Sequence, residues 1–316
     1  MSKIRESALL RTILLALPLC LLASCKQPLE PLRVGTNVWP GYEPLYLARH
    51  IGLLESERVR LAEYPSSTEV MRAFRSRSLD AASLTLDEAL LLVDMGVPIK
   101  VVLVHDVSRG ADVILARPGI EKVVDLSGRR VAVESGALGA YMITRALQKS
   151  AMSIDTIRIS HLDVNQHESS YAAGEVDAAV TFEPFSTRLK TLGAQEIFSS
   201  RELPGEIIDV MVVHEAVYEQ RLEDLKYLTK AWFESLDYLA NEPEKSATVI
   251  GRRLKLQNDE VLASYELIHL PSLEENAEIL QNGQRKLDAL AKVMQEHGLV
   301  REGLSTNQVM STHALP

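Results

Sequence analysis

The segment Leu79-Asp80-Ala81-Ala82-Ser83-Leu84-Thr85-Leu86-Asp87-Glu88 has an echo later in the chain. It is Val176-Asp177-Ala178-Ala179-Val180-Thr181-Phe182-Glu183-Pro184, with one residue fewer before the threonine. In both, an aspartate precedes a short apolar run of strand length, and a threonine and an acid follow at its carboxyl end. A chain that repeats this unit is expected to build two similar lobes, each bringing a polar strand end to a shared cleft. The remaining pattern agrees, because short apolar runs alternate with helical spacing as in an α/β protein. Strands are expected at 33–37, 59–63, 81–85, 101–105, 112–116, 130–134, 157–162, 178–182, 196–199 and 209–214. Helices fit 68–77, 87–94, 138–149 and 169–173, and beyond 215 the pattern is almost purely helical. There Leu225, Leu228, Trp232, Leu236 and Leu239 form one stripe, and Ala277, Leu280, Leu287, Leu290, Ala291 and Met294 another.

The expected organisation is a first lobe at 32–112, completed by 210–302, and a second lobe at 118–206. The chain crosses between them twice, near Arg117-Pro118-Gly119 and near Leu203-Pro204-Gly205-Glu206. Such a double crossover makes a hinge. Residues 303–316 read as a disordered tail.

Residues 1–24 read as a signal peptide. Lys3, Arg5 and Arg11 precede an apolar run from Ile13 to Leu22, too short to span a bilayer stably. Leu22-Ala23-Ser24-Cys25 resembles the bacterial lipobox, which implies a lipidated Cys25 anchored to a bacterial membrane, with 25–31 as a linker. Cys20 and Cys25 are the two cysteines of the chain, so the mature domain is expected to hold no disulfide and no cysteine-type zinc site. A net charge of −9 argues against nucleic acid, which needs clustered Lys and Arg.

One stretch carries a family resemblance. Arg33-Val34-Gly35-Thr36 begins a strand, Trp39-Pro40-Gly41-Tyr42 makes an aromatic loop, and Pro44 suits the first turn of a helix. The run Gly41-Tyr42-Glu43-Pro44-Leu45-Tyr46-Leu47-Ala48 resembles the opening of periplasmic solute-binding proteins of the nitrate, sulfonate, taurine and thiamine-precursor type. The resemblance extends more loosely to about residue 300. It implies a two-lobed periplasmic-binding-protein fold (type II), with each lobe a mostly parallel sheet flanked by helices.

Candidate ligand-binding residues cluster at strand ends and strand-to-helix turns: Thr36, Asn37, Trp39, Tyr42, Ser67, Thr68, Thr85, Asp87, Ser135, Gly136, Thr181, Glu183 and Asp209. In open α/β sheets ligands bind at the carboxyl ends of strands, and helix N-termini there can hold polar groups. Several of these residues are equally good N-caps. The acids near the cleft, Asp87, Glu88, Asp106, Asp112, Glu183, Glu206 and Asp209, outnumber one obvious cation, Arg109, which favours an amino or ring-nitrogen ligand over a sulfonate. No nucleophile elbow and no metal-ligand spacing is present, so neither catalysis, nor a cofactor, nor a metal is expected. The resemblance implies a monomeric ABC-importer subunit that hands a small-molecule ligand to a membrane permease. The alternatives are a ligand-sensing subunit for a membrane receptor and a pyrimidine-precursor synthase-like enzyme, although that enzyme's cysteine-rich motif is absent here.

Overall fold

A computed structural model describes residues 30–134, 136 and 138–316. The expected signal peptide, Cys25, most of the linker and Ser135 lie outside the described residues. Among the described residues no helix is long and apolar enough to cross a membrane.

β1 (Leu32–Thr36) opens the first sheet, and a 3-10 turn at Pro40–Tyr42 leads into α1 (Glu43–His50). Pro44 sits in the first turn of α1, where no N–H is needed. β2 (Val59–Glu63), α2 (Ser67–Arg75), β3 (Ala81–Thr85), α3 (Leu86–Asp94) and β4 (Ile99–Ser108) follow. A second sheet is then built from β5 (Asp112–Ala116), β6 (Arg130–Val133), α4 (Leu138–Lys149), β7 (Arg158–His161) and α5 (His167–Ala172). It is completed by β8 (Ala178–Phe182), α6 (Phe185–Thr191) and β9 (Gln195–Ser199). The chain returns to the first sheet as β10 (Ile208–His214). The helices α7 (Glu215–Gln220), α8 (Leu222–Asn241), α9 (Pro243–Leu254) and α10 (Asn258–Glu266) come next. The short β11 (Ile268–His269), α11 (Leu273–Asn282) and α12 (Gln284–Glu296) end the regular structure.

The strand orders are β11-β4-β10-β3-β1-β2 and β7-β6-β8-β5-β9. Both sheets are mixed rather than mostly parallel. β1, β2 and β3 pair in parallel, as do β6, β7 and β8, because helices return the chain between them. β10 and β5 run antiparallel to their neighbours because each enters directly from the other lobe, with no helical crossover to reset its direction.

The echo in the sequence is a structural repeat. Arg33, at the start of β1, donates its backbone N–H to Asp80 Oδ2 at 2.9 Å and pairs its guanidinium with the same carboxylate. Arg130, at the start of β6, repeats this with Asp177, its N–H reaching Oδ2 at 2.8 Å. Val34 then pairs with Ala81, and Val131 with Ala178. In each lobe the aspartate thus fixes the register of the central parallel pair.

Val70, Leu86 and Leu90 of the first lobe share one apolar cluster with Val131, Tyr141 and Met142 of the second. The other face of the first sheet packs Leu32, Val34, Leu103 and Met211 against Leu225 and Trp232 of α8. The expected disordered tail at 303–316 is corrected by its packing: Val309 and Ala314 are buried, Met310 bridges Val101, and Thr229 donates to the carbonyl of Ala314.

Candidate functional site: an acidic, aromatic crevice

β10 lies between β3 and β4, and its register sets Asp209 opposite Thr85 on one side and Asp106 on the other. Residues in one cross-strand row share a face, and like charges directly opposite are destabilising. Asp106 and Asp209 are both fully buried, so this row calls for positive or proton-donating partners.

The aromatic loop supplies two. Trp39 Nε1 donates to Asp106 Oδ2 at 2.9 Å, and the Tyr42 hydroxyl donates to Asp209 Oδ1 at 2.5 Å. Gly41 lets the loop approach this closely, since a Cβ there would stand 1.9 Å from Asp106 Oδ2 and 2.3 Å from Trp39 Nε1. Asp106 Oδ1, Asp112 Oδ2, Asn37 Oδ1 and Thr181 Oγ1 remain buried without a hydrogen-bond partner.

Two small chambers lie where the lobes meet. The first, about 20 Å³, is lined by Asn37, Trp39, Tyr42, Ser67, Thr85, Glu88, Asp112, Leu138, Phe182 and Asp209. The second, about 10 Å³, shares Ser67, Glu88, Asp112, Leu138 and Phe182 and adds Glu134, His167 and Thr181 among others. Each has room for about one water molecule, against the several hundred Å³ of an ordinary ligand pocket, so the lobes are closed on each other. Among the described residues no Lys or Arg lines either chamber.

Two carboxylates bridge the lobes. Glu134 Oε1, at the end of β6, accepts from Thr68 N at 2.7 Å and Thr68 Oγ1 at 2.8 Å, in the first turn of α2. Glu88 of α3 reciprocates: Oε1 accepts from Leu138 N, the first residue of α4, at 3.2 Å, while Oε2 accepts from Thr85 N at 2.9 Å.

Burial dominates the protonation of this region. It pushes Asp106 and Asp112 up to about 7 and Asp209 well above the usual carboxylate range, where neighbouring Asp106 and Asp112 raise it further. Glu88 rises to about 8 through burial and the charge of Asp87, and Asp87 to about 6 through burial. His167 is lowered to about 4, again by burial, so at neutral pH it offers no positive charge.

Asn37, Trp39, Tyr42, Ser67, Thr85, Asp209 and Thr181 therefore meet at the chambers. Thr36 and Asp87 lie behind them: Thr36 Oγ1 shares a hydrogen bond with the Tyr46 hydroxyl at 2.6 Å. Thr68 acts through Glu134. Gly136 lines neither chamber, and Ser135 lies outside the described residues. Glu183 also stands outside, with its carboxylate taken by Ser186 Oγ and by Thr187 N at 3.3 Å in the first turn of α6. Arg109 lines a larger surface groove, about 660 Å³, between the crossover segments and α11; an apolar groove of about 510 Å³ lies along α4. Neither groove is lined by any of the crevice acids Glu88, Asp106, Asp112, Glu134 or Asp209. Glu134 and Phe182 had no signal in the sequence, since each is an ordinary strand end until the lobes meet, whereas Leu138 lies in the Gly136–Gly139 helix opening, whose N–H groups are expected to suit a carboxylate.

Two lobes joined by a double crossover, with polar strand ends facing across a crevice, define the periplasmic-binding-protein architecture. The alkanesulfonate-binding protein SsuA from Xanthomonas axonopodis pv. citri, bound to MOPS, shares it with a TM-score of 0.75 at 19% identity, over 91% of this chain and 99% of its own. The chain belongs to the NMT1-like family, whose sequence model matches residues 25–252. It is 24% identical over 188 residues to a binding protein of Brucella abortus (strain 2308), covering 54% of this chain and 57% of the relative. It is 23% identical over 184 residues to the taurine-binding periplasmic protein of Escherichia coli (strain K12), covering 57% of each. The chain thus spans little more than half the length of the curated relatives it matches. The desulfurization enzyme DszB also has this fold, at a TM-score of 0.64 and 13% identity over 89% of this chain and 97% of its own, so the fold by itself does not separate binding from catalysis.

Proposed function

We propose that the protein is the extracytoplasmic solute-binding subunit of an ABC importer, and that its ligand is a small organic cation held between the closed lobes. The observation that carries this reading is the set of four carboxyls, Glu88, Asp112, Glu134 and Asp209, lining chambers with no Lys or Arg among the described residues. A buried ionised group is stable only when paired, and a protonated amine or ring nitrogen supplies both the charge and the donor that Asp112 Oδ2 lacks. Trp39, Tyr42 and Phe182 provide aromatic faces for a cation–π contribution. No group of three or more His, Cys, Asp or Glu among the described residues is placed to hold a metal ion, which favours an organic cation.

Binding rather than catalysis is supported by where a serine–histidine hydrogen bond lies among the described residues. Ser83 Oγ does meet His105 Nε2 at 2.9 Å. That pair is fully buried beneath Tyr42 and Trp232 and lines neither chamber. In this reading the lobes open to admit the ligand, a lipidated Cys25 tethers the protein to a bacterial membrane, and the closed form docks on the permease. Thermal shift and titration calorimetry with primary amines, diamines and quaternary ammonium ions, set against alkanesulfonates, test the assignment. A bound cation at 100 times its Kd adds about 2.7 kcal/mol of stability. Tight binding of a sulfonate with no response to any cation overturns it.

A further inference from the structure

A helix N-terminus facing a ligand cleft is a natural place for an oxyanion, because its first N–H groups have no partner within the helix. Besides α3, whose N-terminus holds its own Asp87 and Glu88, the helices α2 and α4, 9 and 12 residues long, present theirs at the crevice. Each is filled by a carboxylate from the opposite lobe. Glu134 takes the Thr68 N–H and hydroxyl of α2, and Glu88 takes the Leu138 N–H of α4. At α2 the cap is complete within reach, since Ser66 Oγ accepts from Glu69 N at 3.3 Å. The carboxylates are anchored as well as placed: Glu88 also accepts from Thr85 N, and Glu134 Oε2 from Val164 N at 3.4 Å. Both side chains belong to buried residues, 1% and 4% exposed.

We propose that Glu88 and Glu134 are specificity-determining residues that exclude anions from the crevice by occupying, with tethered carboxyl groups, two helix N-termini where a sulfonate, phosphate or carboxylate group would be held. An incoming anion must displace a covalently attached competitor and also meet Asp112 and Asp209. The inference deepens the reading of the ligand as a cation and rests on it for the identity of what does bind. The blocking role itself is independent and can fail or stand alone.

The decisive variant is Glu134→Ala, which frees the donors of Thr68 and opens the space beside them. Titration calorimetry at neutral pH uses methanesulfonate and inorganic phosphate as probes on the full chain. Wild type is expected to show no binding at millimolar concentration. Glu134→Ala should gain affinity on the order of tenfold to a hundredfold, the value of charge-assisted bonds to the freed donors, and Thr68→Val added to it, which removes the hydroxyl and keeps the N–H, should lose part of that gain. Glu134→Gln, which keeps the side chain in place, should gain nothing. If Glu134→Ala does not fold, Glu88→Ala makes the same test at Leu138. Anion binding by wild type equal to that of the variant overturns the proposal, as does a folded Glu134→Ala protein that binds organic cations yet no anion. If no cation binds wild type but the variant gains anions, the blocking role stands and the cation reading falls.

Discussion

Glu134 and Thr68 belong to different lobes, yet one carboxylate oxygen accepts from both the backbone N–H and the hydroxyl of the threonine, at 2.7 and 2.8 Å. With the reciprocal Glu88–Leu138 bond and the bond that Arg188 Nη2 of the second lobe donates to the Leu254 carbonyl of the first at 3.1 Å, this gives lobe closure a set of polar contacts. A charge-assisted hydrogen bond contributes about 1.5–3 kcal/mol, and each 1.4 kcal/mol is about tenfold in the open–closed equilibrium. The double variant Glu88→Ala/Glu134→Ala, which removes both acceptors, should shift the ligand-free protein toward the open form, with a larger radius of gyration in small-angle scattering. An unchanged scattering curve would mean that the apolar contacts between lobes hold closure alone.

Trp39 should report ligand binding. It is tied to Asp106 and stands 5.5 Å, edge to face, from Phe182 of the other lobe, so opening and filling the crevice must change its surroundings. Trp232 is buried against α8's own core and should stay silent. Titration of a bound cation is expected to alter tryptophan fluorescence in wild type and to leave Trp39→Phe unresponsive. A signal surviving in Trp39→Phe would put the site elsewhere.

The ligand-free protein should lose stability as the pH rises from about 5 to 8. Unfolded carboxyls titrate near 4, whereas burial lifts Asp87, Asp106, Asp112 and Glu88 to about 6, 7, 7 and 8. Between these limits the folded state binds more protons than the unfolded one, so stability falls with rising pH. Asp80 and Asp177, where the arginine bonds together outweigh burial, are held below their usual range. They act in the opposite sense in acid below about pH 4, and His105 and His167, lowered by burial to about 3 and about 4, do so up to about pH 6.5, but the raised carboxyls outnumber them. A melting series from pH 4.5 to 8.5 is expected to show a falling Tm, flattened by a saturating cation. A Tm that rises above pH 5 contradicts this.

Removing one carboxyl should trade affinity for stability. Asp209→Asn relieves the repulsion with Asp106 across the sheet while leaving an acceptor for Tyr42. The expectation is a higher Tm for the ligand-free protein and at least about tenfold weaker cation binding, matching a lost charge-assisted bond of about 1.5–3 kcal/mol. Denaturant midpoints and calorimetry check the two halves separately.

Cys25→Ser should release the protein from the membrane fraction into the periplasm. Palmitate labelling that persists in this variant would dispose of the lipid anchor.

The ten strands expected from periodicity lie within a few residues of those observed, because each is a short strand-like run bounded by its own turn signals. The two-residue β11 carries no such signal. The parallel character of the sheets was misread because a strand's direction depends on where the chain enters the sheet, and local pattern does not record that. The crevice was legible where its residues sit together in sequence, as Trp39 and Tyr42 do. Glu134 was not, since its partner Thr68 lies 66 positions away in the other lobe. Glu183 shows the opposite error: its place at a strand end suggested a ligand, while its real partners are three and four residues ahead. The tail at 303–316 lacked apolar periodicity, and single residues such as Val309 and Ala314 pin it instead.

The paired clamps Arg33–Asp80 and Arg130–Asp177 give the molecule a built-in reference. The same two side chains, in the same relation to the same kind of strand pair, occur once in each lobe. Asp80→Asn and Asp177→Asn are thus one chemical change made twice, and any difference between the two outcomes measures the context of each lobe rather than the chemistry of the clamp.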